Sequence, residues 1–271
     1  RRSLMTAIPG LLKPRVSGVT PIVWLLRDEF LTDEAAPLAS PRTAEPGPGT
    51  LTLVQNDDGQ MSISDGKLLI PVQVTPAWGD QGFYGPAMAR IAGRALVTTL
   101  TWTVRDDCMI AWQRSASLAN SAFNNIANAF YMPSSGQVYS GDAQVGFPFS
   151  AITLSANTVY DVAVVLRTSG AFLLLKGGTF TVWTLLWVSG VDNSASVYAS
   201  ISNYDGAESV EFFGVRDLPA PFDTDYGIAS VNVATPVSGT SYTATADAIH
   251  DMAITLPESP SSGDRMELRY R

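Results

Sequence analysis

One histidine, His250, and one cysteine, Cys108, leave this 271-residue chain with carboxylates, amides and aromatic rings for whatever chemistry it performs. Histidine catalysis and histidine metal sites are close to excluded on that count. A lone cysteine forbids an intrachain disulfide, and set in a strand-like run it reads as a small buried hydrophobe. Two carboxylates on one strand can work as acid and nucleophile only if both leave the same face, which demands an i, i+2 or i, i+4 spacing. The nearest approach is Glu208 with Glu211, and its odd spacing sends the two side chains to opposite faces. Both are therefore read as surface residues beside a late strand. No catalytic residue is assigned, and no enzymatic activity is expected.

Calcium is the one cofactor the loops could offer ligands to, since it takes loop carboxylates and carbonyl oxygens. The candidates are Asp192 with Asn193, Asn203 with Asp205, and Asp223 with Asp225. Each serves a turn equally well, because Asx side chains bond their own backbone. The aromatic residues offer more. Trp78, Phe83 and Tyr84 fall in one glycine-rich segment. Phe130, Tyr131 and Tyr139 fall in another, with Asn124, Asn125 and Asn128 nearby. Rings for stacking and amides for paired hydrogen bonds suit a glycan. The competing reading is that these rings cap a core or pack on a neighbouring subunit. Trp183 and Trp187, at i, i+4, share a strand face and read as core.

The elements that must position these residues are strands. Between Val159 and Val188 the chain alternates β-branched and apolar residues, broken at Ser169-Gly170 and again at Lys176-Gly177-Gly178. That pattern gives a three-strand meander. It is apolar enough to require a second sheet over it. Gly177-Gly178 is a hairpin turn and no phosphate loop, since no Lys-Ser/Thr pair follows. Further strands are expected at Leu51–Val54, Met61–Ile63, Lys67–Val74, Arg94–Val104, Cys108–Arg114, Ser194–Ile201 and Val210–Val215. After Phe222 they are expected at Ile228–Ala234, Ser241–Ala246, Met252–Leu256 and Met266–Tyr270. Pro76–Pro86 reads as a loop, and the Ala-rich stretch Leu118–Ala129 reads as a short helix weakened by asparagine. Pro9, Pro14 and Pro21 make residues 1–26 an extended arm, and Pro219 with Pro221 mark a boundary. The chain therefore divides into an arm (1–26), an all-β sandwich (27–218), and a linker with a β-rich C-terminal segment (219–271).

Composition bounds the partners. With 46% hydrophobic residues the chain can bury a large core, and only 15% are charged. A net charge of −8, with 17 scattered Lys and Arg, argues against tracking nucleic acid, which needs a basic face. The most apolar run, Gly177 to Val191, is shorter than the roughly 20 residues of a spanning helix. The N-terminal stretch is interrupted by Pro9-Gly10 and does not read as a signal peptide.

The segment DEFLTDEAAPL, followed by a loop and MSISDGKLLIP, resembles the opening of concanavalin A-like, laminin-G-like jelly rolls. Asp28, Phe30, Ser62, Ile63, Gly66 and Leu68 carry the likeness. TVYDVAVVLRTSGAFLLLKGG resembles their central back-sheet hairpin, and VEFFGVRDLPAPF their last strand, returning beside the first. The resemblance spans about residues 27–218, and Tyr242–Arg271 resembles the opening strands of a partial second module. It implies an antiparallel β-sandwich of the kind found in phage structural and tail-associated proteins. The expectation that follows is a non-enzymatic structural or adhesive component of a virion or extracellular assembly, a homo-oligomer or larger complex held by subunit contacts. A glycan-binding module is the first alternative. There Trp78, Phe83, Tyr84, Asn124, Asn128, Tyr131 and Tyr139 would meet sugar, and Asp192, Asn203 and Asp205 would hold any calcium. A polysaccharide-active hydrolase or lyase is the second.

Overall fold

The computed structural model describes residues 23–56, 60–104, 107–132, 137–140, 143–146, 154–167, 170–188, 192, 194–218, 243–248, 251–257 and 265–268. In chain order the strands are β1 Trp24–Asp28, β2 Arg42–Thr43, β3 Thr50–Gln55, β4 Ser62–Ser64, β5 Lys67–Ile70, β6 Gln81–Tyr84 and β7 Met88–Ala89. They continue with β8 Arg94–Val104, β9 Cys108–Gln113, β10 Ile126–Met132, β11 Gln137–Ser140, β12 Ala143–Gly146, β13 Val159–Leu166, β14 Ala171–Gly177 and β15 Phe180–Val188. The last are β16 Ser196–Asn203, β17 Ala207–Asp217, β18 Thr243–Ala248, β19 Asp251–Pro257 and β20 Arg265–Leu268. No helix occurs among the described residues.

Two antiparallel sheets pack face to face. The larger runs β20-β19-β18-β15-β14-β13-β8-β17-β5-β4, with β1 also on β17. The smaller runs β12-β11-β10-β9-β16-β6-β3-β2, with β7 on β16. All strand pairs are antiparallel, as in a jelly-roll sandwich. Alternation along each strand sends one set of side chains inward. Val162, Val164 and Leu166 of β13, Leu96, Leu100 and Trp102 of β8, and Leu173 and Leu175 of β14 meet Ile110 and Trp112 of β9, Phe83 of β6 and Ile201 of β16. A hydrogen bond ties the layers through the core: Trp112 Nε1 donates to the Val164 carbonyl at 2.9 Å.

The Asp28-x-Phe30 element opens the fold for a physical reason. Asp28 is fully buried, and its Oδ1 accepts hydrogen bonds from the Phe30 and Glu45 amides. Its Oδ2 takes the Arg42 guanidinium at 3.2 Å. Phe30, at φ 51°, is thereby turned into the core against Phe83. Burial pushes the Asp28 carboxyl up from its ordinary value, opposed by these bonds. β1 then lies beside β17, pairing Leu26 with Val215 and Asp28 with Phe213, so first and last sandwich strands are neighbours.

Two local expectations are corrected. Gln81–Tyr84 is a strand within the stretch read as a loop. Gly82 sits there at φ 139° because a Cβ would lie 2.2 Å from the Ile201 carbonyl oxygen, so its glycine marks close strand approach. Leu118–Ala129 is no helix. Asn120 Oδ1 captures the Ala122 amide and the Phe123 amide bonds the Asn120 carbonyl, so side-chain bonding diverts the backbone into turns before β10 begins. β17 carries a bulge between Val210 and Phe212, so residues 208 and 210 face inward on one side of it and 213 and 215 on the other. The C-terminal strands β18, β19 and β20 add in series to β15, starting with Trp183 opposite Ala244. Ile228–Ala234 lies outside the described residues.

Candidate functional site

The outward face of the smaller sheet gathers side chains from far-separated stretches. Two lines of register cross it. Tyr84 of β6, Ser200 of β16, Ala111 of β9 and Ala129 of β10 form one. Gly82, Ser202, Met109 and Tyr131 form the next. Met109, Ala111, Ala119, Ile126, Ala129 and Tyr131 make a small cluster here, separate from the sandwich core, with Trp78 and Phe123 packed onto it. The turn carrying Ala119 is fixed by its amide, which donates to Ser202 Oγ at 3.1 Å.

Two aromatic stations result. At one, Trp78 stacks on Tyr204 at 5.4 Å between ring centres and meets Phe123 and Tyr131 edge-on at 5.7 and 5.8 Å. The Tyr131 hydroxyl bonds the Asp107 carboxylate. At the other, Tyr84 and Tyr198 meet edge-on at 6.5 Å. Trp78, Phe123, Tyr204, Tyr84 and Tyr198 are all half-buried. From Tyr198 to Ser202, four residues along β16, is roughly 13 Å at strand rise. Gln113 lies opposite Tyr198 in register, and its Nε2 donates to Ser200 Oγ at 3.2 Å, both residues being fully buried.

Of the aromatic and amide candidates, Trp78, Tyr84 and Tyr131 lie on this one face. Phe83 does not: parity along β6 points it into the core, where it is fully buried against Phe213. Asn128 is likewise fully buried. Asn124 is exposed, its Oδ1 accepting from Asn120 and its carbonyl from Arg114. The side chains of Tyr139, Trp183 and Trp187 lie outside the described residues, as do Asn193, Asp223, Asp225 and His250. Tyr198, Tyr204 and Phe123 join the site unforeseen. Tyr198 is legible in hindsight, since alternation puts it on the same face of β16 as Ser200 and Ser202.

Asp192 is an ion-pair partner, its Oδ2 2.7 Å from Arg90 and its Oδ1 3.3 Å from Arg114, with the Ser194 hydroxyl also donating to Oδ1. Asn203 is fully buried and donates from Nδ2 to Gln81 Oε1 and to the Pro71 and Gly206 carbonyls. Asp205 is half-buried in the following turn. Among the described residues, no three His, Cys, Asp or Glu side chains gather as metal ligands would.

The glutamates are corrected in part. Glu211 lies outward and pairs with Lys67 at 2.7 Å. Glu208 is buried on the inner face opposite Trp102, 2% exposed, with both carboxyl oxygens lacking a hydrogen-bond partner. The Cys108 thiol lies beside it, and burial raises its pKa well above the ordinary thiol value. Burial pushes the Glu208 carboxyl up to about 8. Asp161, on the outward face of the larger sheet, is also raised by burial, against a 2.7 Å bond from Thr99 Oγ1.

Neither a family model nor a curated protein sequence matches the chain. Several solved structures do. One belongs with the endo-acting O-glycanases of the human gut microbiota that initiate mucin breakdown. It is 12% identical, with 72% of this chain and 100% of the other covered at TM-score 0.42. A β-1,3-glucanase from Mycobacterium marinum is 11% identical, covering 71% and 98% at TM-score 0.38. LamA from Z. galactanivorans, solved with laminaritriose and laminaritetraose, is 9% identical, covering 72% and 99% at TM-score 0.43. At these values the likeness is one of β-sandwich architecture and transfers no residue roles. The expectation of a non-enzymatic structural or adhesive virion protein is corrected to this extent: the matched structures include glycoside hydrolases, and none of those named is a phage protein.

Proposed function

We propose that this chain acts on polysaccharide and holds the glycan across the outward face of the smaller sheet. The observation that carries the reading is the pair of half-buried aromatic stations, Trp78 with Tyr204 and Tyr84 with Tyr198, on one sheet face. Rings present apolar faces to the C–H side of a sugar. Rigid strands fix their spacing. In affinity electrophoresis, laminarin or mucin in the gel retards the chain, and Trp78→Ala or Tyr198→Ala abolishes the retardation. A chain that migrates unchanged in both polymers refutes the proposal.

A second reading, that the bound glycan is cleaved, draws on Asp107. Its carboxylate accepts from the Tyr131 hydroxyl at the aromatic station, and its carbonyl accepts from the Tyr204 amide at 2.9 Å. That bond joins the turn bearing Asp107 to the turn bearing Asp205, and hydrolysis requires two carboxyl groups flanking one bond. Release of reducing ends from laminarin or mucin, lost in both Asp107→Asn and Asp205→Asn, is the expected result. Turnover unaffected by either substitution refutes the assignment.

A further inference from the structure

Glu208 stands apart from the other buried acids. Asp28 meets Arg42 and Asp192 meets Arg90, whereas both Glu208 oxygens are buried without a hydrogen-bond partner, as is Nε1 of Trp102 opposite. Around it β5 sets Ile70 opposite, β8 sets Trp102 opposite, and β9 brings Cys108 from the other sheet. The next acid outward is Asp107, whose charge acts on the same thiol. Glu211 and Lys67 take the other face of the sheet and pair there. A carboxyl left in such surroundings is held in its neutral form. Its position gives that proton a consequence. Glu208 is the second residue of β17, and Ala207 before it pairs across a bulge with Val104, which is 45% exposed. The sandwich ends there in the turn bearing Asp107 and the turn bearing Tyr204, joined by the Tyr204 amide donating to the Asp107 carbonyl at 2.9 Å. Thr103 Oγ1, donating to the Ala207 carbonyl at 3.1 Å, and Asn203 Nδ2, donating to the Gly206 carbonyl at 2.9 Å, hold the start of β17 beside them. Both turns reach one aromatic station: Tyr204 stacks on Trp78, and the Asp107 carboxylate takes the Tyr131 hydroxyl.

We propose that Glu208 is a positioning residue for this station: protonated, it lets the two turns close and hold Tyr204 against Trp78, and ionised, it parts them and weakens the hold on glycan. The inference rests on the reading of that face as a glycan surface and adds its regulation. A carboxylate sealed between the sheets is costly, and the cost falls once water reaches it. Solvent stands one residue away, at Val104. Parting the turns there relieves the charge and breaks the bond between Tyr204 and Asp107. Burial lifts the closed form's carboxyl to about 8 from 4.5. An opening that ionises it more easily therefore has its midpoint at or below about pH 8.

The test follows glycan binding on the full chain by isothermal titration calorimetry from about pH 6 to 9, below the range in which tyrosine hydroxyls ionise. Laminarin is the first polymer, since its glucose units carry no ionisable group, and mucin is the second. Affinity should fall at least about tenfold across that range, because only the closed fraction binds. Glu208→Gln should remove the fall, and Glu211→Gln, on the other face of the sheet, should keep it. Hydrogen–deuterium exchange across residues 203–208 should rise over the same range beyond what base catalysis of exchange accounts for, in the unaltered chain and not in Glu208→Gln. Polymer bound equally at both ends of the range overturns this inference alone and leaves the glycan reading standing. A fall that persists in Glu208→Gln overturns it too, as does one lost in Glu211→Gln. If neither polymer binds at any pH, it fails together with the glycan reading. Affinity and exchange on the unaltered chain decide the matter even where a substitution folds poorly.

Discussion

Replacing Glu208 by glutamine should stabilise the protein at neutral pH and flatten its dependence on pH. The carboxyl is sealed between the sheets with neither oxygen hydrogen-bonded, and burial lifts it to about 8 from an ordinary 4.5. A folded-state value above the unfolded one means that folding holds a proton the unfolded chain gives up. Stability from this source is fully present below pH 4.5 and is lost progressively as pH rises to 8, at about 1.4 kcal/mol per pH unit. Between pH 4.5 and 7 the loss is about 3 kcal/mol. At roughly 2–4 °C per kcal/mol for a chain of this size, that is about 6–12 °C in Tm. Glutamine keeps the shape and cannot ionise. Part of the gain is offset by its own buried amide donors, which cost about 1–3 kcal/mol if left open. The slope is therefore a cleaner readout than the absolute Tm. Calorimetric melts at half-unit steps from pH 4.5 to 9 should show the wild-type Tm falling relative to Glu208→Gln until about pH 8, then running parallel. Asp28 and Asp161, both raised by burial, titrate alike in the two proteins and cancel in the difference. Parallel curves throughout would refute the reasoning and mean that Glu208 is solvated in solution.

Three further outcomes follow from single contacts. Asp28→Ala leaves the buried Arg42 guanidinium without its innermost partner and two amides without acceptors, which should cost about 3–5 kcal/mol in urea unfolding. Gly82→Ala forces a Cβ to within 2.2 Å of a backbone oxygen at φ 139°. It should cost more than about 1–3 kcal/mol and lower affinity at the aromatic face, since β6 must shift away from β16; an unchanged midpoint would contradict the geometry. Trp112→Phe keeps the ring's bulk and deletes the one N–H that reaches across to the Val164 carbonyl. It should cost about 1–3 kcal/mol, read as a lower denaturation midpoint with unchanged m-value.

Local pattern carried the strands whose signals are local. β8 occupies the whole of Arg94–Val104 as its alternation indicates, and the Val159–Val188 meander breaks where its glycines fall. The same kind of signal misled at β6, because Gly82 answers to Ile201, more than a hundred residues away, and a glycine required by a distant backbone looks the same as one required by a turn. Glu208 shows the limit most sharply. Its separation from Glu211 to the opposite face was legible, but its place within the strand was not, since the strand was expected to begin at Val210 and β17 begins at Ala207. Which face is dry depends on Trp102 and Cys108, brought opposite by pairing and by sheet stacking. The candidate site obeys the same logic. Trp78 and Tyr131 stood out individually as aromatics, yet their meeting requires β9, β10 and β16 to lie side by side in one register. On a sandwich, spacing along a strand decides only which side a residue takes. Residues that meet across the sheet lie along lines crossing the strands, as Tyr84, Ser200, Ala111 and Ala129 do, and such a line has no signature in any one stretch of sequence. Spacing along single strands therefore carries no sign that the turns of Asp107 and Asp205 are joined. Each sits in its own turn, and the Tyr204 amide joins those turns only once β9 and β16 have paired.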